Sequence, residues 1–380
     1  MRIAVNAQAY EYGVPTGIGT YTEYLYQHMW ALDTANNYVF FSSKLSQTLE
    51  ERGGARISVR RAPSPLAGKY ARVGWENFVL PIRLLVDKID LLHCVNYSLP
   101  FATPSRVRKV VTVHDLIWLE FPDYFPRATV YAARKRFQHT CSSADAIIAD
   151  SENTRKDVLE ASSCEEEKVT VVHMGVDSER FGRAKGEPAL TQLVRQEHDL
   201  PERFVLWVGA YRRHKNVELL CKAFAVAKKR GGLPHKLVLC GPGLSSERAI
   251  RRILEKYGSD IMVIGPVGDE ELPFVFALAD AFAFPSLYEG FGLPVLEAMA
   301  SGIPVVTSNS ASLPEVAGGA AILVDPRSER ALTDAIIAVI SDEALRASMK
   351  QKGLERVRLF SWEQAARRTL RLFEDVGGRQ

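Results

Sequence analysis

At 380 residues the chain exceeds the usual size of a single hydrophobic core, so two domains of roughly 150 to 200 residues are expected. Its composition, 47% hydrophobic and 24% charged, is that of a soluble globular protein and excludes disordered and collagen-like classes. The formal charge of +3 comes without a long basic block, so no nucleic-acid partner is expected.

Apolar runs such as Phe204 to Val208 and Ala281 to Phe284 fall well short of the ~20 residues that span a bilayer. The opening Met1 to Asn6 enters a strand-like run with no basic flank or cleavage site, so export is not expected. Cys94, Cys141, Cys164, Cys221 and Cys240 are odd in number, far apart and free of CxxC pairing; they read as reduced thiols of a cytoplasmic protein.

Short aliphatic runs alternate with helix-length segments, the pattern of an α/β fold with mostly parallel sheets. The first set of strands is expected at Arg2–Asn6, Tyr38–Phe41, Ile57–Arg60, Leu91–Cys94, Lys109–Val113, Ala146–Ala149 and Val169–Val172. The second is expected at Phe204–Val208, Lys236–Cys240, Ile261–Ile264, Ala281–Phe284, Pro304–Thr307 and Ala321–Val324. The polar stretch from Gly182 to Pro201 is expected to hold the linker, giving domains over 1–183 and 184–356. Beyond Asp325-Pro326 the chain reads as helical, with Trp362, Ala365, Ala366, Thr369, Leu370 and Phe373 recurring on one face. Two doubly wound sheets facing a central cleft would bind ligands at the carboxyl ends of their strands.

The segment Phe284-Pro285-Ser286-Leu287-Tyr288-Glu289-Gly290-Phe291-Gly292-Leu293-Pro294-Val295-Leu296-Glu297 follows an apolar strand and opens a helix. Pro294 suits a first helical turn, and Gly290 and Gly292 let backbone approach a ligand. Exposed N–H groups around Phe291, Gly292, Leu293 and Val295, with the helix dipole, suit a diphosphate. Glu297 is placed to accept hydrogen bonds from ribose hydroxyls and Glu289 to reach a sugar.

Glu289 and Glu297, with seven residues between them and Gly-Phe-Gly-Leu-Pro as filling, resemble the paired-glutamate motif of family 4 retaining glycosyltransferases. Thr16-Gly17-Ile18-Gly19-Thr20-Tyr21, Val113-His114-Asp115-Leu116, Ala149-Asp150-Ser151-Glu152, His173-Met174-Gly175-Val176-Asp177 and Phe360-Ser361-Trp362 resemble further stretches of that family, so the likeness covers nearly the whole chain. It implies the GT-B fold, with a last helix from about 357 to 380 crossing back to the N-terminal, acceptor-binding domain, and a C-terminal domain that binds the nucleotide-sugar donor. In Gly209-Ala210-Tyr211-Arg212-Arg213-His214-Lys215-Asn216, Lys215 matches the family's phosphate-binding lysine. Many members carry an arginine five residues earlier; Ala210 stands there, leaving Arg212 or Arg213 to supply the second cation. The resemblance makes His114, Lys215 and Glu289 the catalytic candidates. It places Gly17, Gly19, Arg212, Arg213, Lys215, Gly290 to Leu293 and Glu297 around the donor, with Asp115 orienting the loop or the imidazole.

The likeness is to bacterial mannosyltransferases of O-antigen and other surface polysaccharides, which implies GDP-mannose as donor and a glycan or lipid-linked saccharide as acceptor. A UDP-sugar donor, a nucleotide-sugar 2-epimerase or a non-catalytic nucleotide-sugar binder are the alternatives. No cofactor is expected: Gly241-Pro242-Gly243 lacks the third glycine of a dinucleotide fingerprint, having Ser246 instead, and His93 with Cys94 lacks metal-ligand spacing. No DxD motif stands at a strand end, which suits metal-independent transfer. Arg72 to Val86, with Arg106, Arg108 and Lys109, form either a basic, apolar surface for peripheral contact with the inner membrane or an ordinary amphipathic helix packed on its sheet.

Overall fold

All thirteen expected runs fold as strands, and the central ones, such as Leu91–Cys94, Ala146–Ala149, Ala281–Phe284 and Val305–Ser308, are wholly buried, because helices cover both faces of a parallel sheet. The computed structural model describes residues 1–10, 17–44, 49, 51, 54–63, 68–244 and 248–378. The chain divides into two units, Met1–Gly175 with Trp362–Gln380, and Val176–Ser361.

In the first unit β1 (Arg2–Asn6), β2 (Asn37–Ser42), β3 (Ile57–Arg61), β4 (Leu91–Cys94), β5 (Arg108–Val113), β6 (Ala146–Ala149) and β7 (Val169–Val171) form one sheet in the order β3-β2-β1-β4-β5-β6-β7. Every pairing is parallel. The second unit arranges β8 (Phe204–Val208), β9 (Lys236–Cys240), β10 (Ile261–Gly265), β11 (Ala281–Phe284), β12 (Val305–Ser308) and β13 (Ala321–Val324) as β10-β9-β8-β11-β12-β13, also all parallel. Both sheets are Rossmann-like, and each reverses its strand order once, between β1 and β4 and between β8 and β11. Such switch points open crevices beyond the carboxyl ends of the strands.

The stretch expected to hold the linker is ordered instead as a 3₁₀ turn, Arg183–Gly186, and a helix, Pro188–Glu197, with Pro188 in its first turn and Val194 buried. The division falls earlier, between Gly175 and Val176, and the return falls between Ser361 and Trp362. Packing explains the shift: Phe181 meets Phe276 at 5.7 Å between ring centroids, and the Val176 N–H donates to Phe360 O at 3.1 Å. Residues 176–183 are thereby bound to the second unit.

The helix Trp362–Gly378 belongs to the first unit and packs on the helix Gly17–Leu32. Its Trp362 ring stacks on Tyr24 at 5.6 Å and Phe373 meets His93 edge-on at 5.3 Å. Trp362, Ala365, Ala366, Thr369 and Phe373 are buried, the face that the apolar spacing marks out, whereas Leu370 lies at its margin.

A helical run from Lys69–Gly74 through a π turn, Trp75–Val79, to Leu80–Val86 shows two apolar faces. Leu80 and Leu84 are buried, while Phe78, Ile82 and Val86 on the other side are 76%, 61% and 64% exposed. A packed amphipathic helix would leave that side polar. Among the described residues no helix is long and apolar enough to cross a membrane.

Candidate functional site

In the second unit, the loops after β8 and β11, on either side of the switch point, bring Lys215 and Glu289 together. Lys215 Nζ lies 3.0 Å from Glu289 Oε1, and the same carboxylate oxygen accepts from Ser286 Oγ at 2.8 Å. Both side chains are largely buried, at 16% and 14% exposure, and the ammonium sits 4.9 Å from the centre of the Phe284 ring. The lysine's loop is pinned from three sides. The Leu287 N–H donates to His214 O at 2.7 Å, and Asn216 Nδ2 donates to Pro285 O and Pro326 O at 3.1 and 2.7 Å. Asn216 holds a left-handed backbone, φ +58°, a conformation asparagine tolerates better than most side chains.

The helix Leu293–Ala300 begins at Gly292, whose φ of +112° favours glycine and whose hypothetical Cβ would stand 2.8 Å from Leu313 Cδ2. Pro294 occupies the first turn, and Phe291 is buried against Phe360. The turn from Ser286 to Phe291 is held by three serines that the sequence pattern does not single out. Ser308 Oγ donates to Ser286 O at 2.5 Å and Ser310 Oγ to Leu287 O at 2.5 Å. Ser312 Oγ shares its proton between Glu289 O and Phe291 O, at 2.8 and 2.7 Å. Occupied carbonyls point into the protein, so the turn can offer its N–H side to an anion. The alternation Ser308-Asn309-Ser310-Ala311-Ser312 is the signal that could have revealed them.

Glu297, one turn into that helix, keeps some surface, yet burial of its carboxyl pushes its pKa up to about 7, with Arg180 and Lys215 opposing and Asp269 reinforcing the shift. Burial holds His214 down at about 4, so the imidazole beside Lys215 is neutral near pH 7. Arg212 and Arg213 are exposed at the loop's tip; Arg212 donates to Tyr211 O at 2.9 Å, and its charge bears on His214. The arrangement thus has a desolvated ammonium, a carboxylate tied to it and a helix start suited to phosphate.

In the first unit His114 ends up beyond β5 with both ring nitrogens engaged. Nε2–H donates to Val95 O at 2.9 Å, and Nδ1 lies 2.5 Å from Asp150 Oδ2. Burial is the largest influence on the ring and opposes its charge, but Asp150 and the Val95 carbonyl outweigh it and raise the pKa above 6.5. The imidazole's orienting partner is therefore Asp150, beyond the end of β6, rather than Asp115. Asp115 orients its own loop by accepting from the Ile117 N–H at 3.2 Å. Val113 pairs with Ala149 across β5 and β6, which places the next residues side by side. His114 also lines a cavity of about 240 Å³ with Ile18, Asn96, Tyr97 and Trp118. Gly17 begins its helix with open space where a Cβ would stand, Gly19 is buried, and Thr16 lies outside the described residues.

Gly241 is required by packing rather than by a ligand, because with φ +140° its Cβ would meet Gly209 O at 2.0 Å, where the ends of β8 and β9 press together. Ser246 lies outside the described residues. His93 is buried in a hydrogen-bond chain, Nδ1 2.6 Å from Tyr26 OH and Nε2 2.9 Å from Thr112 Oγ1, and burial lowers its pKa to about 3. Among the described residues no group of three His, Cys, Asp or Glu side chains is placed to hold a metal ion.

Two family models match the chain, one described as Glycosyltransferase Family 4 over residues 15–180 and one as Glycosyl transferases group 1 over residues 191–356. The chain is 30% identical over 287 residues to the O-antigen chain mannosyltransferase B of Escherichia coli, covering 75% of this chain and 74% of that protein. It is also 30% identical over 282 residues to the serotype-specific mannosyltransferase WbdA of Escherichia coli, covering 72% of this chain but 34% of the larger relative. A D-inositol 3-phosphate glycosyltransferase of Corynebacterium glutamicum (strain R) is 29% identical over 250 residues, 63% of this chain and 59% of that one. Among solved structures, sucrose-phosphate synthase from Thermosynechococcus elongatus superposes with a TM-score of 0.78 at 21% identity, covering all of both chains. HepE of Anabaena in complex with UDP-glucose does so with a TM-score of 0.73 at 18% identity, covering 99% of this chain and 100% of that one. With its two Rossmann-like sheets and both halves matched, the chain belongs to glycosyltransferase family 4 and is a glycosyltransferase of the GT-B fold, similar to bacterial O-antigen mannosyltransferases.

Proposed function

We propose that this enzyme transfers mannose from GDP-mannose, with retention and without a metal ion, to a glycan or lipid-linked saccharide acceptor at the cytoplasmic face of a membrane, in surface-polysaccharide synthesis. The observation that carries the reading is the buried Lys215–Glu289 contact of 3.0 Å beside the helix start at Gly292. The names of the Escherichia coli relatives support mannose.

In this reading the donor's diphosphate takes Lys215 from Glu289 and lies across the turn from Gly290 to Leu293. Preorganised charge at the leaving group is the largest single contribution available to such a reaction. Arg212, whose charge reaches His214, supplies the second cation in place of the arginine absent at Ala210. Released from the lysine, Glu289 accepts from sugar hydroxyls while Ser286 keeps it in place, and Glu297 accepts from the ribose. The acceptor oxygen attacks C1 on the face the diphosphate leaves. The new C–O bond forms as the old one breaks, and the departing phosphate oxygen takes the acceptor's proton. His114 takes a catalytic part by exchanging Val95 O for a substrate oxygen at Nε2, with Asp150 holding the ring at Nδ1. Gly17 leaves space for the donor or acceptor at its helix start. The exposed Phe78, Ile82 and Val86, with Arg83 and Arg106 nearby, supply the membrane contact.

The test is transfer from GDP-mannose and UDP-glucose by wild-type, Lys215→Ala and Glu289→Ala enzymes. Each variant is expected to lose about 100-fold or more in kcat, the scale of removing one preorganised electrostatic group. Near-normal turnover by both would overturn the site, and transfer from UDP-glucose alone would overturn the donor.

A further inference from the structure

We propose that a polar cavity in the first unit, bounded by Arg72, Glu76 and Arg136, binds an oxyanion carried by the acceptor, so that the enzyme selects an acidic acceptor. The proposal rests on the glycosyltransferase reading. The cavity, of about 610 Å³, opens at the carboxyl ends of β1 and β4, where Asn6 and Cys94 line it. This is the sheet's switch point, the place where such folds take ligands.

Its charges do not balance. Glu76 is 7% exposed; Arg136 pairs with it at 2.5 Å, and Arg72 acts on the same carboxylate electrostatically. Asn6 Nδ2 also donates to Glu76 at 3.4 Å. One carboxylate, already engaged, thus faces two guanidinium groups. Arg72 Nε and Arg136 Nε are buried without a hydrogen-bond partner. Buried donors of this kind are uncommon and costly, and a ligand oxyanion would satisfy both. Gln8 Oε1, also buried and unpaired, could accept from a ligand hydroxyl.

Position strengthens the case. Glu76 sits on the π turn Trp75–Val79, a distortion that recurs at functional sites. The cavity shares Asn96, Tyr97, Thr129 and Ala133 with the His114 pocket, so an acceptor can occupy both at once. Phe78 and Ile82, on the outer side of the same helical run, face solvent. An acceptor arriving on a lipid would present its phosphate to this run, whereas a sugar acid would present a carboxylate.

The experiment is calorimetric titration of the full chain with inorganic diphosphate and, separately, with glucuronate. Two diphosphate sites are expected, one abolished by Lys215→Ala and one retained in that variant. Arg72→Gln should weaken the retained site at least about tenfold, the loss of a charge-assisted hydrogen bond. Glu76→Gln/Arg136→Gln, made together so that no buried charge is left alone, should do the same. If Arg72→Gln melts early, Arg72→Lys, which keeps charge but loses the planar fork, takes its place. Preference for diphosphate assigns the site to phosphate and preference for glucuronate to a carboxylate. The proposal fails if Lys215→Ala protein binds neither probe, or if the Arg72 variant binds both as wild type does. In those cases, intact binding of nucleoside diphosphate by wild-type protein leaves the glycosyltransferase reading standing, and its loss counts against that reading.

Discussion

Replacing Glu297 by glutamine tests the proposed ribose contact separately from every other proposed donor contact. With a carboxyl pKa of about 7, the residue changes charge in the physiological range. If the donor is bound by the carboxylate form, which accepts from two ribose hydroxyls, apparent affinity scales with the ionised fraction. That fraction is about 0.1 at pH 6 and about 0.9 at pH 8, so the dissociation constant of the nucleoside diphosphate should fall about tenfold as pH rises across this window. The sign is fixed by the raised pKa: the proton held below 7 is the one that obstructs binding. His214, at about 4, stays neutral throughout and cannot produce the trend. Calorimetric titration from pH 6 to pH 8 reads it directly, and Glu297→Gln provides the control, since the ligand's own ionisation is common to both proteins. A Glu297→Gln enzyme that keeps the wild-type slope would refute the assignment, as would a flat wild-type profile.

Gly241→Ala should prevent the second unit from folding stably, because a Cβ 2.0 Å from Gly209 O forces two strand ends apart; circular dichroism melting of the variant checks this. Ser312→Ala removes one hydroxyl shared by two carbonyls and should cost about 1–3 kcal/mol in urea unfolding. It should also raise the donor KM. Serine replacing Phe78, Ile82 and Val86 together should reduce sedimentation with anionic vesicles while leaving the melting temperature unchanged, because these side chains are exposed.

The strands were legible because burial on both faces demands unbroken apolar runs, and runs such as Ala281-Phe282-Ala283-Phe284 have no other use. The start of the helix Leu293–Ala300 was legible for a local reason as well, glycine at a positive φ followed by proline. Less was readable wherever a residue's role depends on a distant partner. Asp150 becomes the neighbour of His114 only when β5 and β6 pair, and Glu76 meets Arg136 only through the fold. The division between the units falls before the expected boundary because polarity marks exposure rather than attachment: the polar stretch after Gly182 is helical, and Phe181 has already joined the second core. In the phosphate-binding loop, Arg212 and Arg213 are adjacent and chemically alike, so sequence alone could not rank them. Both lie exposed at the loop's tip, and Arg212 is the one whose charge bears on His214.

The placement of the helix Trp362–Gly378 on the helix Gly17–Leu32 has a consequence for biosynthesis. Translation runs at about 5–20 residues per second, so some 330 residues, from Leu32 to Trp362, take roughly 20–70 s to make. Through that interval Tyr24, and His93 once it is made, lack their covering rings, and every residue of the second unit is synthesised before Trp362. The unit synthesised first is therefore completed last, and chaperone occupancy during synthesis is expected to fall on its uncovered face.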